Sequence, residues 1–148
     1  MDVSQQASER IVVGIDGSAA SSRALAWALR QAALTGGTVE AVQAWEVPAA
    51  YGTGMMVIPN ADEFEAAAKD TLARTVDQVA GNDPGVPVEQ HVVAGHPAKA
   101  LIGAAEGAAL LVVGSRGHGG FVGTLVGSVS QYCVSHATCP VVVVREDD

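Results

Sequence analysis

Charged and aromatic residues are scarce in this chain of 148 residues. Charged side chains make up 16% of the sequence and aromatic ones 4%, whereas about a quarter of an average protein is charged. The charges that are present are mostly acidic and give a net charge of −8. Nucleic-acid backbones and anionic membranes repel such a chain, so we expect neither as a partner. The sparse surface charge also favours an oligomer that covers part of the apolar surface.

Cysteines and long apolar runs are few as well. The two cysteines, Cys133 and Cys139, match neither a disulfide framework nor a zinc site, which predicts two reduced thiols. No apolar run is long enough to span a membrane, and the polar residues 1–10 do not resemble a secretory signal. We therefore expect a cytoplasmic protein. The length predicts a single domain over residues 1–148, with residues 1–9 disordered.

Several motifs of catalysis and nucleotide binding are missing. The chain has no Gly-Lys-[Ser/Thr] sequence and so lacks the phosphate-binding lysine of a Walker A loop. Its first predicted strand is not followed by the G-x-G-x-x-G fingerprint of dinucleotide-binding folds, and the G-x-S-x-G elbow of hydrolases is also absent. No general base, nucleophile or arginine finger for phosphoryl transfer stands out. Ligand binding is therefore better supported than an enzymatic activity.

The chain does contain a strict alternation of apolar runs and helical patterns. The apolar runs predict five buried strands, at residues 11–15, 38–47, 87–94, 110–113 and 140–144. The patterns between them predict four helices, which begin near residues 19, 60, 97 and 127. This order predicts an open, doubly wound α/β fold of the Rossmann-like type, a five-stranded parallel sheet with helices on both faces. Ligands bind such sheets beyond the carboxyl ends of the strands.

The most informative stretch is a glycine-rich segment, V-G-S-R-G-H-G-G-F-V-G-T-L-V-G-S-V-S, at residues 113–130. It connects a predicted strand to a predicted helix, so its backbone N–H groups and the helix dipole favour an anion, and a phosphate fits best. A flexible loop without a ligand is the alternative. The candidate phosphate ligands of this segment are Gly114, Ser115, Arg116, Gly117, His118, Gly119, Gly120, Gly127, Ser128, Val129 and Ser130.

The polar side chains of this segment have different expected roles. Arg116 either donates to a terminal phosphate or lies in solvent, and His118 is expected to face solvent. Ser128 and Ser130 offer hydroxyl donors in the first turn of the predicted helix. A second candidate for a functional segment is the long connection at residues 48–59, because loops of this length in small domains often carry function.

The spacing of the glycines resembles a known motif. Two residues separate Gly114 from Gly117 and nine more precede Gly127 and Ser128, which resembles the ATP-binding motif G-x2-G-x9-G-[ST] of the universal stress protein family. Three further stretches resemble that family, at residues 11–18, 95–98 and 136–140. The resemblance extends over residues 10–145.

The resemblance implies ATP as the ligand and a sheet with the strand order 3-2-1-4-5. It implies that Gly14 and Asp16 lie beside the nucleotide, and that the Asp16 carboxylate, close to the ribose and phosphates, would also hold Mg²⁺. A plain turn residue is the alternative for Asp16. The resemblance further implies that the backbone of Ala44 pairs with the adenine edge. With this order, residues 141–144 form an apolar edge strand, through which we expect a homodimer.

On this basis we expect an ATP-binding universal stress protein that acts as a nucleotide-responsive regulator in the stress response. The sequence does not identify its protein partner. Two alternatives remain open. One is a slow ATPase or adenine-nucleotide hydrolase that uses the same pocket, and the other is a nucleotide-free dimeric interaction module.

Overall fold

Five strands and four helices alternate along the parts of the chain that the computed structural model describes, residues 9–47, 61–82, 84–115 and 127–145. The strands are β1 (Arg10–Gly14), β2 (Thr38–Trp45), β3 (Val88–Ala94), β4 (Leu110–Gly114) and β5 (Val141–Val144). The helices are α1 (Ala19–Thr35), α2 (Ala61–Ala80), α3 (Pro97–Ala104) and α4 (Ser128–His136). The predicted elements are confirmed. The expected helix start at residue 60, the connection at residues 48–59 and the residues 1–8 lie outside the described residues.

Both ends of α1 follow from local sequence. Ser18 has an extended backbone, and its hydroxyl oxygen accepts a hydrogen bond of 3.1 Å from the N–H of Ser21. Such a cap satisfies one of the N–H groups that have no partner within the helix. At the other end, Gly36 has a φ of 72°, a left-handed conformation that glycine adopts without strain, and its N–H donates to the carbonyl of Ala32. Helix α1 therefore runs over the residues that the sequence predicts.

The five strands form one parallel sheet in the order β3-β2-β1-β4-β5. This order confirms the expectation from the family resemblance. The chain moves from β1 to β2 on one side and later places β4 on the other side of β1. The direction of winding therefore reverses between β1 and β4. Open sheets of this type bind ligands at this point, beyond the carboxyl ends of the strands.

The sheet is covered on both faces, which explains why its strands read as continuous apolar runs. In β1, Ile11 and Val13 belong to the core under α1 and α2, whereas Val12 belongs to the core under α3 and α4. Leu25 of α1 is fully buried in the first core, and Leu101 of α3 lies in the second. None of the described helices is long and apolar enough to cross a membrane.

Candidate functional site

The turn after β1 holds Asp16 at the carboxyl edge of the sheet. One oxygen of its carboxylate, Oδ1, accepts a hydrogen bond of 2.9 Å from the N–H of Ser18. Gly17 between them has a φ of 84°, so the turn requires a residue that tolerates a left-handed backbone. The side chain of Asp16 is nevertheless exposed. The carboxylate thus shapes the turn and still presents a negative charge beside the switch point.

Ser21 supports this turn from inside α1, and sequence reasoning missed it. Its hydroxyl donates to the carbonyl of Ser18 at 3.0 Å and accepts a hydrogen bond of 3.3 Å from the N–H of Asp16. Ser21 is 4% exposed, so these two bonds fix the backbone of Asp16 from the buried side. A small polar residue in the buried stripe of a helix was the only sequence signal of this role.

The two ends of the glycine-rich segment are joined by hydrogen bonds. The N–H of Gly127 donates to the carbonyl of Ser115, and the hydroxyl of Ser130 donates to the carbonyl of Gly114 at 2.5 Å. The N–H of Ser115 donates to the carbonyl of Val144 in β5 at 2.8 Å. The end of β4, the start of α4 and the end of β5 therefore form one connected unit.

These bonds change the expected roles of two serines. Ser130 is 3% exposed and its hydroxyl donates into the protein, so this hydroxyl is not directed at a ligand as the sequence suggested. Ser115 is also 3% exposed, and its backbone N–H is engaged by β5. Both residues position the ends of the segment. The sequence does not predict these roles because they depend on the proximity of β4, α4 and β5, which no local pattern in the sequence reveals.

The first turn of α4 has the features of an anion site. Its N-cap, Gly127, is extended, with φ −72° and ψ 169°, and no side chain caps the helix. The carbonyl of Gly127 accepts the N–H of Gln131, which closes the first turn. Ser128 is exposed and Val129 partly buried. An uncapped helix start directs backbone N–H groups and the positive end of the dipole toward whatever lies beyond it.

Packing leaves little room for a side chain at two of the candidate glycines, and the constraint is stronger at Gly114, which faces backbone, than at Gly14, which faces the end of a leucine. A Cβ on Gly114 would lie 2.7 Å from the Cβ of Ala20 and 2.8 Å from its carbonyl carbon. A Cβ on Gly14 would lie 2.7 Å from Cδ1 of Leu101. Gly114 does not have a positive φ. The missing side chain of Gly114 lets the first turn of α1 pack directly on β4.

Ala44 lies near the carboxyl end of β2. It is paired with Val93 of β3, and the next residue, Trp45, accepts the N–H of Gly95 at 2.8 Å. Two residues earlier, the carbonyl of Val42 accepts the N–H of Ile15 at 2.8 Å. The structure thus brings the ends of β1, β2 and β4, with Gly14, Ala44 and Gly114, to the same edge of the sheet.

The remaining candidates of the glycine-rich segment cannot be placed in this edge. Arg116, Gly117, His118, Gly119 and Gly120 lie outside the described residues. Among the described residues there is no group of three or more His, Cys, Asp or Glu side chains that would hold a metal ion by itself. A single exposed carboxylate does fit Mg²⁺ that is bound together with a nucleotide, because Mg²⁺ commonly uses one or two carboxylates, phosphate oxygens and water.

A pocket of about 380 Å³ lies between the starts of α3 and α4, and no pattern in the sequence predicts it. Its lining residues are His96, Lys99, Ser128 and Tyr132. His96 is the N-cap of α3, and its Nδ1 accepts the N–H of Ala98 at 3.2 Å. The ring of Tyr132 stacks on His136 with centroids 4.1 Å apart. The pocket therefore combines a cation, hydrogen-bonding groups and an aromatic wall.

Both cysteines are unpaired, as the sequence predicts. Burial raises the pKa of Cys133 to about 11, and Cys139 adds to this shift. Burial also raises the pKa of Cys139. Because the thiolate is the reactive form of cysteine, neither side chain has the character of a catalytic nucleophile.

Comparisons with known proteins agree on one family. The sequence model described as "Universal stress protein family" matches residues 7–145. A universal stress protein of Mycobacterium tuberculosis is 37% identical over 139 residues, which cover 92% of this chain and 45% of the relative. One of Mycolicibacterium smegmatis is 37% identical over 135 residues, which cover 91% of this chain and 45% of the relative. The chain thus spans about half the length of these relatives.

Solved structures show the same fold. Universal stress protein UspA from Lactobacillus plantarum superposes with a TM-score of 0.74 at 23% identity, over 93% of this chain and 98% of that protein. A universal stress protein in complex with cAMP has a TM-score of 0.70 at 26% identity, over 92% and 96%. One from Archaeoglobus fulgidus in complex with dAMP has a TM-score of 0.69 at 25% identity, over 91% and 96%.

Proposed function

The chain belongs to the universal stress protein family, and from that premise we propose that it binds an adenine nucleotide, ATP in the first place, at the switch point between β1 and β4. We propose further that it acts as a nucleotide-responsive regulator in the stress response. The observation that carries the first proposal is the uncapped start of α4. It lies at the carboxyl edge of the sheet, joined to β4 by the hydrogen bond from Gly127 to Ser115.

The phosphates would be bound by this helix start. The N–H groups of its first turn supply hydrogen-bond donors, and the helix dipole adds a favourable field for an anion. Because the whole chain is acidic, with a net charge of −8, long-range attraction of the nucleotide is weak. Local backbone donors are therefore expected to supply most of the affinity for phosphate. The candidates on the glycine-rich segment, Arg116 and Gly117 among them, would extend this set of ligands.

The adenine and ribose would lie toward β2. Val42 bonds to Ile15 on the β1 side, so by the alternation of a parallel strand the backbone groups of Ala44 face the same side and would pair with the adenine edge. The exposed carboxylate of Asp16 would lie beside the ribose. Two structural relatives at 25–26% identity were solved with cAMP and dAMP. Adenine is common to both ligands, which supports an adenine nucleotide here.

Magnesium would bind together with the nucleotide. The exposed carboxylate of Asp16 is the side chain that would hold it, while the other oxygen ligands come from phosphates and water. The ion would neutralise part of the phosphate charge. Asp16 would otherwise lie close to an anion of the same sign, so the ion also removes a repulsion.

A homodimer through β5 is the second part of the proposal. Within the described residues β5 pairs only with β4. The carbonyls of Pro140 and Val144 accept hydrogen bonds from β4, so by the alternation of a parallel strand Val142 also faces β4. The backbone groups of Val141 and Val143 therefore point to the open edge. Pairing with a second copy would satisfy them and close the assembly.

Regulation would then follow from a shift in populations. A nucleotide can favour one state of the protein only if it makes different contacts in the two states. Contacts of the phosphates with the start of α4 would supply such a difference. The nucleotide-bound state would present a different surface to a protein partner.

The direct test is the small-molecule content of the freshly purified protein after denaturation, followed by titration calorimetry of the nucleotide-free protein with ATP. We expect an adenine nucleotide in the extract and saturable binding in the titration. Absence of both would leave the nucleotide-free dimeric module as the better description. Release of phosphate or AMP during the titration, lost on substitution of Gly117, would instead support the slow hydrolase.

A further inference from the structure

The pocket between α3 and α4 adjoins the proposed phosphate site and carries its own positive charge. Ser128, the first residue of α4, lines the pocket together with His96 and Lys99 from the start of α3. At about 380 Å³ the pocket falls within the size range of small-molecule sites, which is room enough for more than one phosphate group. The same residue, Ser128, thus belongs to both the uncapped helix start and the pocket.

Lys99 stands where a lysine is unfavourable for the helix itself. It is the third residue of α3, and a cation in the first turn opposes the positive end of the helix dipole. Lys99 is exposed and makes no described salt bridge. A residue that is unfavourable for its own helix, and that makes no compensating contact within the protein, is expected mainly at functional positions. An anion in the pocket would be attracted both by the positive end of the α3 dipole and by the ammonium group of Lys99, and it would reduce the repulsion between them.

His96 contributes a hydrogen-bond donor to the same pocket. Its Nδ1 accepts the N–H of Ala98, so this nitrogen carries the lone pair. The neutral ring then has its proton on Nε2, which is a donor. The side chain of His96 also satisfies the start of α3, whereas no side chain does this for α4. The two adjacent helix starts therefore differ: the N–H of Ala98 in α3 has a side-chain partner, whereas no side chain caps the first turn of α4.

From these observations we infer that the pocket lined by His96, Lys99 and Ser128 binds the outermost phosphates of the nucleotide, with Lys99 as their cation. The inference rests on the proposed function, in which the phosphates reach the start of α4. The inference goes beyond the proposed function because it assigns a selectivity between nucleotides. A nucleoside triphosphate would extend from α4 into the pocket, whereas a monophosphate would not. This chain would therefore prefer ATP to AMP, and Lys99 would be the residue that sets the preference.

The test is calorimetry of the full chain with ATP and with AMP, for wild type, Lys99→Gln and Lys99→Arg. We expect Lys99→Gln to weaken ATP about 3- to 10-fold, the range of one charge-assisted contact at an exposed site, and to leave AMP unchanged. Lys99→Arg keeps the charge and should keep the preference. The ratio of ATP to AMP affinity in wild type should fall as salt rises from 0.05 to about 0.5 M, because the added contact is electrostatic.

Lys69→Gln is the matched control. Lys69 is the other lysine of the chain, equally exposed, on α2 across the sheet from the pocket. Lys69→Gln changes the net charge by the same amount as Lys99→Gln, and it should leave the affinities for ATP and AMP as in wild type. Far-UV circular dichroism and thermal unfolding check that each variant is folded. Because Lys99 opposes the dipole of α3, Lys99→Gln should not lower the midpoint of unfolding.

The outcomes separate this inference from the proposal beneath it. If wild type binds neither ATP nor AMP, the proposed function is wrong and the inference falls with it. If wild type binds both and Lys99→Gln changes both equally, or changes neither, the nucleotide site stands and the role of the pocket is wrong. A similar loss in Lys69→Gln would show a general effect of charge and would also overturn the role of Lys99.

Discussion

Replacing Ser128 by aspartate separates the contribution of α4 to stability from its proposed role in binding phosphate. Ser128 is the exposed first residue of α4, and no side chain caps this helix. A carboxylate in the first turn favours the helix dipole by about 0.3–1 kcal/mol. The same carboxylate would lie beside the proposed phosphate. Ser128→Asp should therefore leave the free energy of unfolding unchanged or raise it slightly, while it weakens nucleotide binding.

The expected loss of affinity follows from the charge. Two unit charges about 4 Å apart near a protein surface interact with about 4 kcal/mol, and mobile ions reduce this value. We therefore expect a loss of about 2–4 kcal/mol, which corresponds to a roughly 30- to 1,000-fold higher Kd for ATP. Calorimetry at 0.15 M salt measures the Kd, and urea unfolding without nucleotide measures the stability.

Ser135→Asp is the control within the same helix. Ser135 is exposed in the last turn of α4, so this variant has the same net charge with the carboxylate at the opposite end. It should bind ATP like wild type and be slightly less stable, because a negative charge is unfavourable at a helix C-terminus. Binding by Ser128→Asp at the wild-type Kd would refute the placement of phosphate at α4. A loss of stability parallel to the loss of binding would refute the reasoning about the helix start.

Three further predictions concern packing, magnesium and assembly. Gly114→Ala places a methyl group 2.7 Å from the nearest atom of α1 and should destabilise the protein by about 1–3 kcal/mol in urea, whereas Gly103→Ala, with nothing within 4 Å, should not. Asp16→Asn keeps the oxygen that accepts the hydrogen bond of the turn, and it should weaken ATP binding more in the presence of Mg²⁺ than in EDTA. Equal losses of affinity in calorimetry would contradict a role in metal binding. Val143→Pro removes an N–H from the open edge and should give a monomer in sedimentation, whereas Val142→Pro should lower stability instead; a dimeric Val143→Pro would exclude the β5 interface.

Much of the fold was predictable because its signals are local. The five apolar runs mark strands buried on both faces, and the alternation with helices leaves parallel pairing as the outcome. Ser18 and Gly36 fix the ends of α1 through residues that lie within a few positions of them. Strand order is different, since hydrophobic periodicity does not determine it. The correct order came from the family resemblance.

For the candidate site, the sequence predicts the place in the fold but not the contacts that the residues make there. Its position follows from the strand, glycine-rich segment and helix start, which are consecutive in the sequence. The roles of Ser115 and Ser130 depend on contacts with β5 and β4, and the need for glycine at 114 depends on the approach of α1. The pocket beside Lys99 forms only because α3 and α4 begin next to each other. Such contacts between distant parts of the chain leave no periodic signal.

The proposed nucleotide site and the proposed dimer edge are connected by one residue, Ser115, and this makes the two proposals physically related. Ser115 accepts the N–H of Gly127 at the start of α4 and donates its own N–H to Val144 in β5. A ligand that orders the start of α4 therefore acts on a residue that is bonded to the edge strand. If binding and pairing are coupled through it, linkage requires the effect to be reciprocal, so a nucleotide that strengthens the dimer must bind the dimer more tightly than the monomer. Such a coupling would give the proposed regulator a response to ATP, and the two backbone hydrogen bonds of Ser115 are a direct connection for it.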